Sequence, residues 1–166
     1  MRIGNPLFLS KRATVMKKTM YCVCFMVLWA CSNEEPLPFE PQVLVPTFIG
    51  QGNLYGAGIE NIYATNTVIT DTTAWEALLL QMNTHNNVSN AFTTTSIDFS
   101  AVLVVAVFDH IHSTGGWSID ITGIMEQETE IIVTVAQLAT GDATLVITQP
   151  FHIVTIPKSN KPVLFE

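Results

Sequence analysis

Few groups in this chain could do chemistry, and its four histidines are the place to begin. His110 and His112 follow directly on Asp109, an imidazole and carboxylate set of the kind that holds zinc. Residues two apart share a face only where a strand stays regular, and no third histidine lies nearby in the sequence. A metal-dependent hydrolase is therefore the least favoured reading, and no metal is expected. His85 lies in a polar stretch and His152 close to Pro150, and both read as surface or hydrogen-bonded structural residues. No serine occupies a glycine-x-serine-x-glycine elbow, no glycine run resembles a phosphate loop, and no acidic pair is set apart by its surroundings. No catalytic residue and no cofactor are expected, so the chain reads as a non-enzyme.

The other conspicuous cluster is Thr114-Gly115-Gly116-Trp117. Two glycines permit positive backbone dihedrals and the close approach of a second main chain, and Trp117 could then anchor a partner. The simpler reading is a hairpin turn with Trp117 packed inside.

Charge is divided unevenly along the chain. Five of the seven basic residues precede Cys31, and all fourteen acidic residues follow it, which leaves a net −12 beyond that cysteine. Such a body repels phosphate backbones, so nucleic-acid binding is not expected. Cys22 and Cys24 lie in an apolar run and Cys31 is the last cysteine, so the folded part has no thiol chemistry and no disulfide. Lys17 and Lys18 precede Met20–Ala30, eleven apolar residues. That is signal-peptide length and too short for a membrane span of roughly 20 residues. The sequence Leu28-Trp29-Ala30-Cys31 resembles the lipobox of bacterial lipoproteins, although Trp29 is larger than usual there. The resemblance implies cleavage before Cys31 and lipidation of that residue. Residues 1–30 are thus expected to be a signal peptide, with Met16 a more conventional start than Met1. Ser32-Asn33-Glu34-Glu35 is similar to the acidic export signal of Bacteroidetes lipoproteins. Residues 31–46 carry four of the eight prolines and read as a semi-rigid tether. The expected location is the bacterial cell envelope, as an outer-membrane lipoprotein facing either the periplasm or the surface.

Residues 47–166 remain for the fold. Ile59–Thr70 is rich in β-branched residues and reads as a strand. Asp71 can cap a helix whose Trp75, Leu78, Leu79 and Met82 recur on one face. Residues 84–97 form a polar connection, and Ala101–Phe108 has the continuous apolar pattern of a strand covered on both faces. From Trp117 to Thr122 apolar and polar residues alternate. A bulge at Gly123 explains the phase shift to Ile124, and a turn at Glu126–Glu128 leads to the partner residues Ile131, Val133 and Val135. Gly141-Asp142 marks a further turn, followed by strands at Thr144–Thr148 and Phe151–Ile156. Pro150 between them belongs at an edge or bend. Five to seven strands and one helix predict an α+β fold, mostly antiparallel, wrapped as a curved sheet or small sandwich.

Several blocks in order resemble one family: Trp75-Glu76-Ala77-Leu78, Ile97-Asp98-Phe99-Ser100, Thr114-Gly115-Gly116-Trp117-Ser118-Ile119, and Thr148–Val154 with Ile156-Pro157-Lys158. The family is the carboxy-terminal domain of the protease-complex subunit PrcB, and the similarity spans roughly Ile62–Glu166. Its glycine loop usually carries a glycine where His110 stands, a basic residue at His112, proline at Ser113 and tyrosine at Trp117. The resemblance implies a non-enzymatic, protease-associated protein whose partner contacts involve His110, His112, Thr114, Gly115, Gly116 and Trp117. The threonine-glycine-aromatic turn is also similar to a loop of chagasin-type cysteine-protease inhibitors. Lipid attachment implies a membrane as the second partner. The alternative is a structural or ligand-binding envelope lipoprotein that recognises glycan or peptide through Tyr55, Tyr63 and Trp117.

Overall fold

Successive side chains of one apolar strand face two different cores, and this sets the layering of the protein. The computed structural model describes residues 38–166. The expected signal peptide, the expected lipidation site at Cys31 and the acidic segment after it lie outside the described residues. In chain order the elements are β1 (Gln42–Val43), β2 (Thr47–Leu54), β3 (Thr65–Ile69), α1 (Thr72–Met82), a 3₁₀ turn (Val88–Ala91), β4 (Val102–Phe108), β5 (Asp120–Glu126), β6 (Ile131–Ala136), β7 (Gln149–Pro157) and β8 (Val163–Phe165). They build two four-stranded sheets, ordered β1-β5-β6-β8 and β2-β7-β4-β3. All pairings are antiparallel except β6 with β8, which is parallel. The expected α+β sandwich is thus observed.

β4 and β7 are the inner strands of the second sheet. On one face Val104, Ala106, Phe108, Phe151 and Ile153 meet Trp75 and Met82 of α1. On the other, Leu103, Val105, Val154 and Ile156 meet Ile124, Ile131 and Val133 of the first sheet. Each aliphatic side chain so buried contributes about 1.5–3 kcal/mol. The helix begins where expected, because the Asp71 carboxylate accepts the Ala74 N–H at 2.9 Å. The expected bulge also lies at Gly123, where the β5–β6 register shifts between Ile121 and Gly123.

Four local expectations are corrected. The strand expected from Ile59 starts only at Thr65. Ahead of it, Ala57 (φ 53°), Gly58 (φ 93°) and Asn61 (φ 55°) form a tight left-handed turn, closed by the Glu60 carboxylate accepting the Gly56 N–H at 2.8 Å. This local carboxylate bond overrides the β-branched composition. The alternation from Trp117 becomes regular strand only at Asp120, Trp117 making one isolated bridge to Thr140. Thr144–Thr148 is not a strand, because Asp142 Oδ1 accepts the Thr144 N–H at 2.8 Å and turns the chain; only Thr148 bridges, to His112. Pro150 lies buried inside an inner strand, for a reason given below. In addition, Gln42 and Val43 of the expected tether pair with Glu126 and Met125, and Leu44 packs on the inter-sheet core.

Candidate interaction site

The site begins where β4 stops. Phe108 pairs with Phe151, so Asp109 falls opposite Pro150, and its N–H donates to the Pro150 carbonyl at 2.9 Å. The return bond is impossible because proline has no N–H. The Gln149 side-chain amide supplies it instead, donating at 2.9 Å to the Asp109 carbonyl and at 2.9 Å to the Ile62 carbonyl. Pro150 is tolerated in an inner strand because this one missing donor is replaced by its neighbour.

Asp109 is buried and gathers four groups around its carboxylate. Oδ1 accepts the His110 N–H at 2.8 Å and lies 2.7 Å from His110 Nδ1. Oδ2 lies 2.9 Å from His112 Nε2 and also accepts the Gln137 amide. Burial acting alone raises the Asp109 pKa, but the bonds from His112, the His110 N–H and Gln137 outweigh it and hold the carboxyl below its ordinary value. The His112 ring is buried between two others, 4.0 Å from the His110 ring and 4.0 Å from Trp117, the latter nearly parallel at 10°. Its backbone is fixed by two bonds to Thr148, at 2.8 and 3.1 Å.

The glycine loop is knitted just as tightly. Thr114 Oγ1 accepts the Trp117 indole N–H at 2.8 Å, and the Thr114 carbonyl accepts the Thr148 hydroxyl at 2.9 Å. Gly115 N–H donates to the Thr144 carbonyl, while Asp142 N–H and Gly141 N–H donate to the Gly115 and Gly116 carbonyls. Gly116 (φ 75°) approaches the Asp142 side chain so closely that a Cβ there would lie 2.7 Å from it. At Gly141 (φ 89°) a Cβ would lie 2.5 Å from the Trp117 ring. Trp117 is therefore half-buried as the lid of a two-loop cluster, and its hydrogen bonding is satisfied within the protein. Thr114, Gly115, Gly116, Trp117, His110 and His112 are all brought together, though Gly115 and His112 are buried.

Besides His110 and Gly116, which are exposed, the solvent-facing groups of the cluster include apolar ones that the sequence did not single out. Ile111 and Ile147 are exposed on either side of the His112–Thr148 bridge, and Leu145 between the loops is 94% exposed. Ile111 also lies against Gly58, which joins the Gly56–Asn61 turn to this rim. Gln137, which also donates to Asp109, carried no signal in the sequence, whereas Gln149 falls in the Thr148–Val154 block and Gly141 in the expected turn. Of the aromatics considered for a ligand, Tyr63 is 77% exposed and Tyr55 also exposed. Tyr55 lines a separate cleft of about 510 Å³ with Phe48, Gln51, Asn53 and Asn86.

Beneath the cluster the two sheets are joined by polar bonds. Gln51 on β2 donates to Asp120 Oδ1 at 2.6 Å, and the Ile121 N–H of β5 donates to His152 Nδ1 of β7 at 3.0 Å. His85 lies exposed after α1, in a turn.

These features define a class: an α+β sandwich domain with a rigid, hydrogen-bonded loop cluster at one end, rimmed by exposed aliphatic side chains. Residues 103–157, from β4 through β7 and including the whole glycine loop, match the family model described as PrcB C-terminal. The PrcB resemblance is thereby shown over that segment, which is narrower than the span from Ile62 to Glu166; the Trp75 and Ile97 blocks fall outside it. No curated protein and no solved structure matches the chain.

Proposed function

We propose that this protein is a cell-envelope lipoprotein, anchored through Cys31 to the outer membrane on its periplasmic or surface side, and that it acts without catalysis as a protein-interaction module in a protease complex. The PrcB C-terminal match over residues 103–157 supports the protease association. The single observation carrying the interaction reading is the solvent-facing aliphatic set Ile111, Leu145 and Ile147 on a hydrogen-bonded loop cluster. Exposed apolar side chains on a rigid support bury area on docking at little entropic cost. Trp117 is a supporting residue in this reading, because its ring is committed to His112 and Gly141.

The test is capture from native envelopes with the anchored wild type and an Ile111→Ser, Leu145→Ser variant of equal melting temperature. An active-site-directed protease label in the captured material is the expected result for the wild type, reduced about tenfold or more in the variant, as losing two interface aliphatics implies. Equal recovery of labelled protease from both would remove the rim from the proposal.

A further inference from the structure

Sequence spacing argued against a metal at Asp109, His110 and His112 because residues two apart share a face only where a strand stays regular, and no third histidine lies nearby. The strand is not regular there. Asp109 still pairs with Pro150 through its N–H, His110 and Ile111 then stand opposite the single residue Gln149, and His112 re-engages through an isolated bridge to Thr148. As a result a carboxylate oxygen and one nitrogen from each imidazole lie within 4.8 Å of one another. We propose that these three residues bind one divalent transition-metal ion of borderline softness, with Zn²⁺ as the reference ion.

The donor set and its dimensions fit. Ligand atoms about 2.0–2.2 Å from a common ion, at tetrahedral or octahedral angles, lie roughly 3 Å apart. The Asp109 Oδ1 to His110 Nδ1 separation is 2.7 Å and Asp109 Oδ2 to His112 Nε2 is 2.9 Å, so each imidazole meets a different oxygen, and a shift of the His110 side chain would bring one oxygen and both nitrogens round a single ion. Each of those nitrogens faces a carboxylate that can only accept, so each must carry a proton when no ion is there. On coordination the proton leaves each of those nitrogens and the other ring nitrogen carries one, so that both imidazoles bind the ion in their neutral form.

Support around the donors is of the kind metal sites require. The Gln137 amide orients the carboxylate through Oδ2, Thr148 fixes the His112 backbone, and Trp117 holds the His112 ring from its far side. Two donors are thus positioned in advance. The third, His110, has a side chain 64% exposed, so it is free to shift and close the set. It also marks the side from which the ion enters and on which water or a partner's donor completes the coordination. The surrounding body, with its net −12 beyond Cys31, raises the local cation concentration.

The experiment is calorimetric titration of ZnCl₂ into the full chain with Cys22, Cys24 and Cys31 replaced by serine, which removes competing thiols. One ion per chain is expected. His110→Ala changes an exposed side chain and leaves the fold intact, and should weaken binding by roughly a hundredfold. Gln137→Ala should weaken it by about tenfold, the usual effect of losing an outer-sphere hydrogen bond. His85→Ala should leave it unchanged, and Co²⁺ in place of Zn²⁺ should quench Trp117 fluorescence in a Trp29→Phe, Trp75→Phe background. Absence of saturable binding, or affinity unaltered by His110→Ala, overturns the site. The result is separable from the partner proposal, because Ile111→Ser, Leu145→Ser alters the rim and none of the three donors.

Discussion

His152 shows how one side chain ties local chemistry to stability. Its Nδ1 accepts the Ile121 N–H across the two sheets, which requires that nitrogen to be unprotonated. Burial lowers its pKa below the ordinary 6.5, and the nearby Asp120 carboxylate only partly opposes this; its strand partners Gln51 and Val107 and the Phe48 ring 5.9 Å away carry no charge. The unfolded chain therefore binds a proton more readily than the folded one. The stability that neutral His152 contributes is complete above pH 6.5 and is lost as pH falls through its lower folded value. The melting temperature is expected to fall from pH 7 to pH 5, and that slope should flatten in His152→Leu, whose stability is lower throughout because the Ile121 N–H loses its acceptor. Parallel slopes in the two proteins would show that His152 is not the titrating group. Asp120 does not confuse the window. Burial would raise its pKa, yet donation from Ser118, Gln51 and the Leu138 N–H holds it below 3.8, so its contribution disappears only in stronger acid. None of this was legible beforehand. A histidine two residues past a proline reads as structural, which it is, but its partner lies on a strand thirty-one residues earlier.

Elements with local causes were legible, and elements with distant causes were not. α1 was readable because both its cap and its apolar spacing are contained in twelve consecutive residues, Asp71 to Met82. β4 was readable because a strand covered on both faces has no polar positions. Thr144–Thr148 failed because its composition favours a strand while Asp142 and the glycine loop claim its backbone. The same loop cluster makes Gly141 a position with little room for change. Its φ of 89° and the Trp117 ring 2.5 Å from where a Cβ would lie mean that Gly141→Ala must both strain the backbone and displace the indole. A loss of about 1–3 kcal/mol in urea denaturation is expected, with a red-shifted Trp117 emission in a Trp29→Phe, Trp75→Phe background. Unchanged emission would mean that the indole is not held against this turn. Asn at this position tolerates the left-handed region better than Ala does, but it brings a still larger side chain toward the ring, so Gly141→Asn should not restore the emission.

At the scale of the whole molecule, the second sheet is a shared wall. The helix-side core and the inter-sheet core are distinct clusters, yet both are built on β4 and β7. The layer count could not be read from the sequence, because an apolar run reports that both faces are covered and not what covers them. A shared wall has a consequence for cooperativity: neither core can dissolve without exposing the back of the other, so the described domain should unfold in one step. Ile153 faces the helix side and Ile156 the first sheet, each almost wholly buried at 0% and 1% exposure. Ile153→Ala and Ile156→Ala are each expected to cost about 2–5 kcal/mol. Both should shift the far-ultraviolet and near-ultraviolet circular dichroism transitions together, although only the first touches the layer that holds Trp75. If Ile156→Ala instead lowered the far-ultraviolet midpoint while the near-ultraviolet signal of Trp75 melted later, the two layers would be separate cooperative units. The edges would then matter more than the wall: β1 pairs only with β5, and β8 only with β6, so a first sheet that opened alone would release both ends of the described domain. A single coincident transition in both variants ties those outer strands, and through β5 the loop cluster itself, to the stability of β4 and β7.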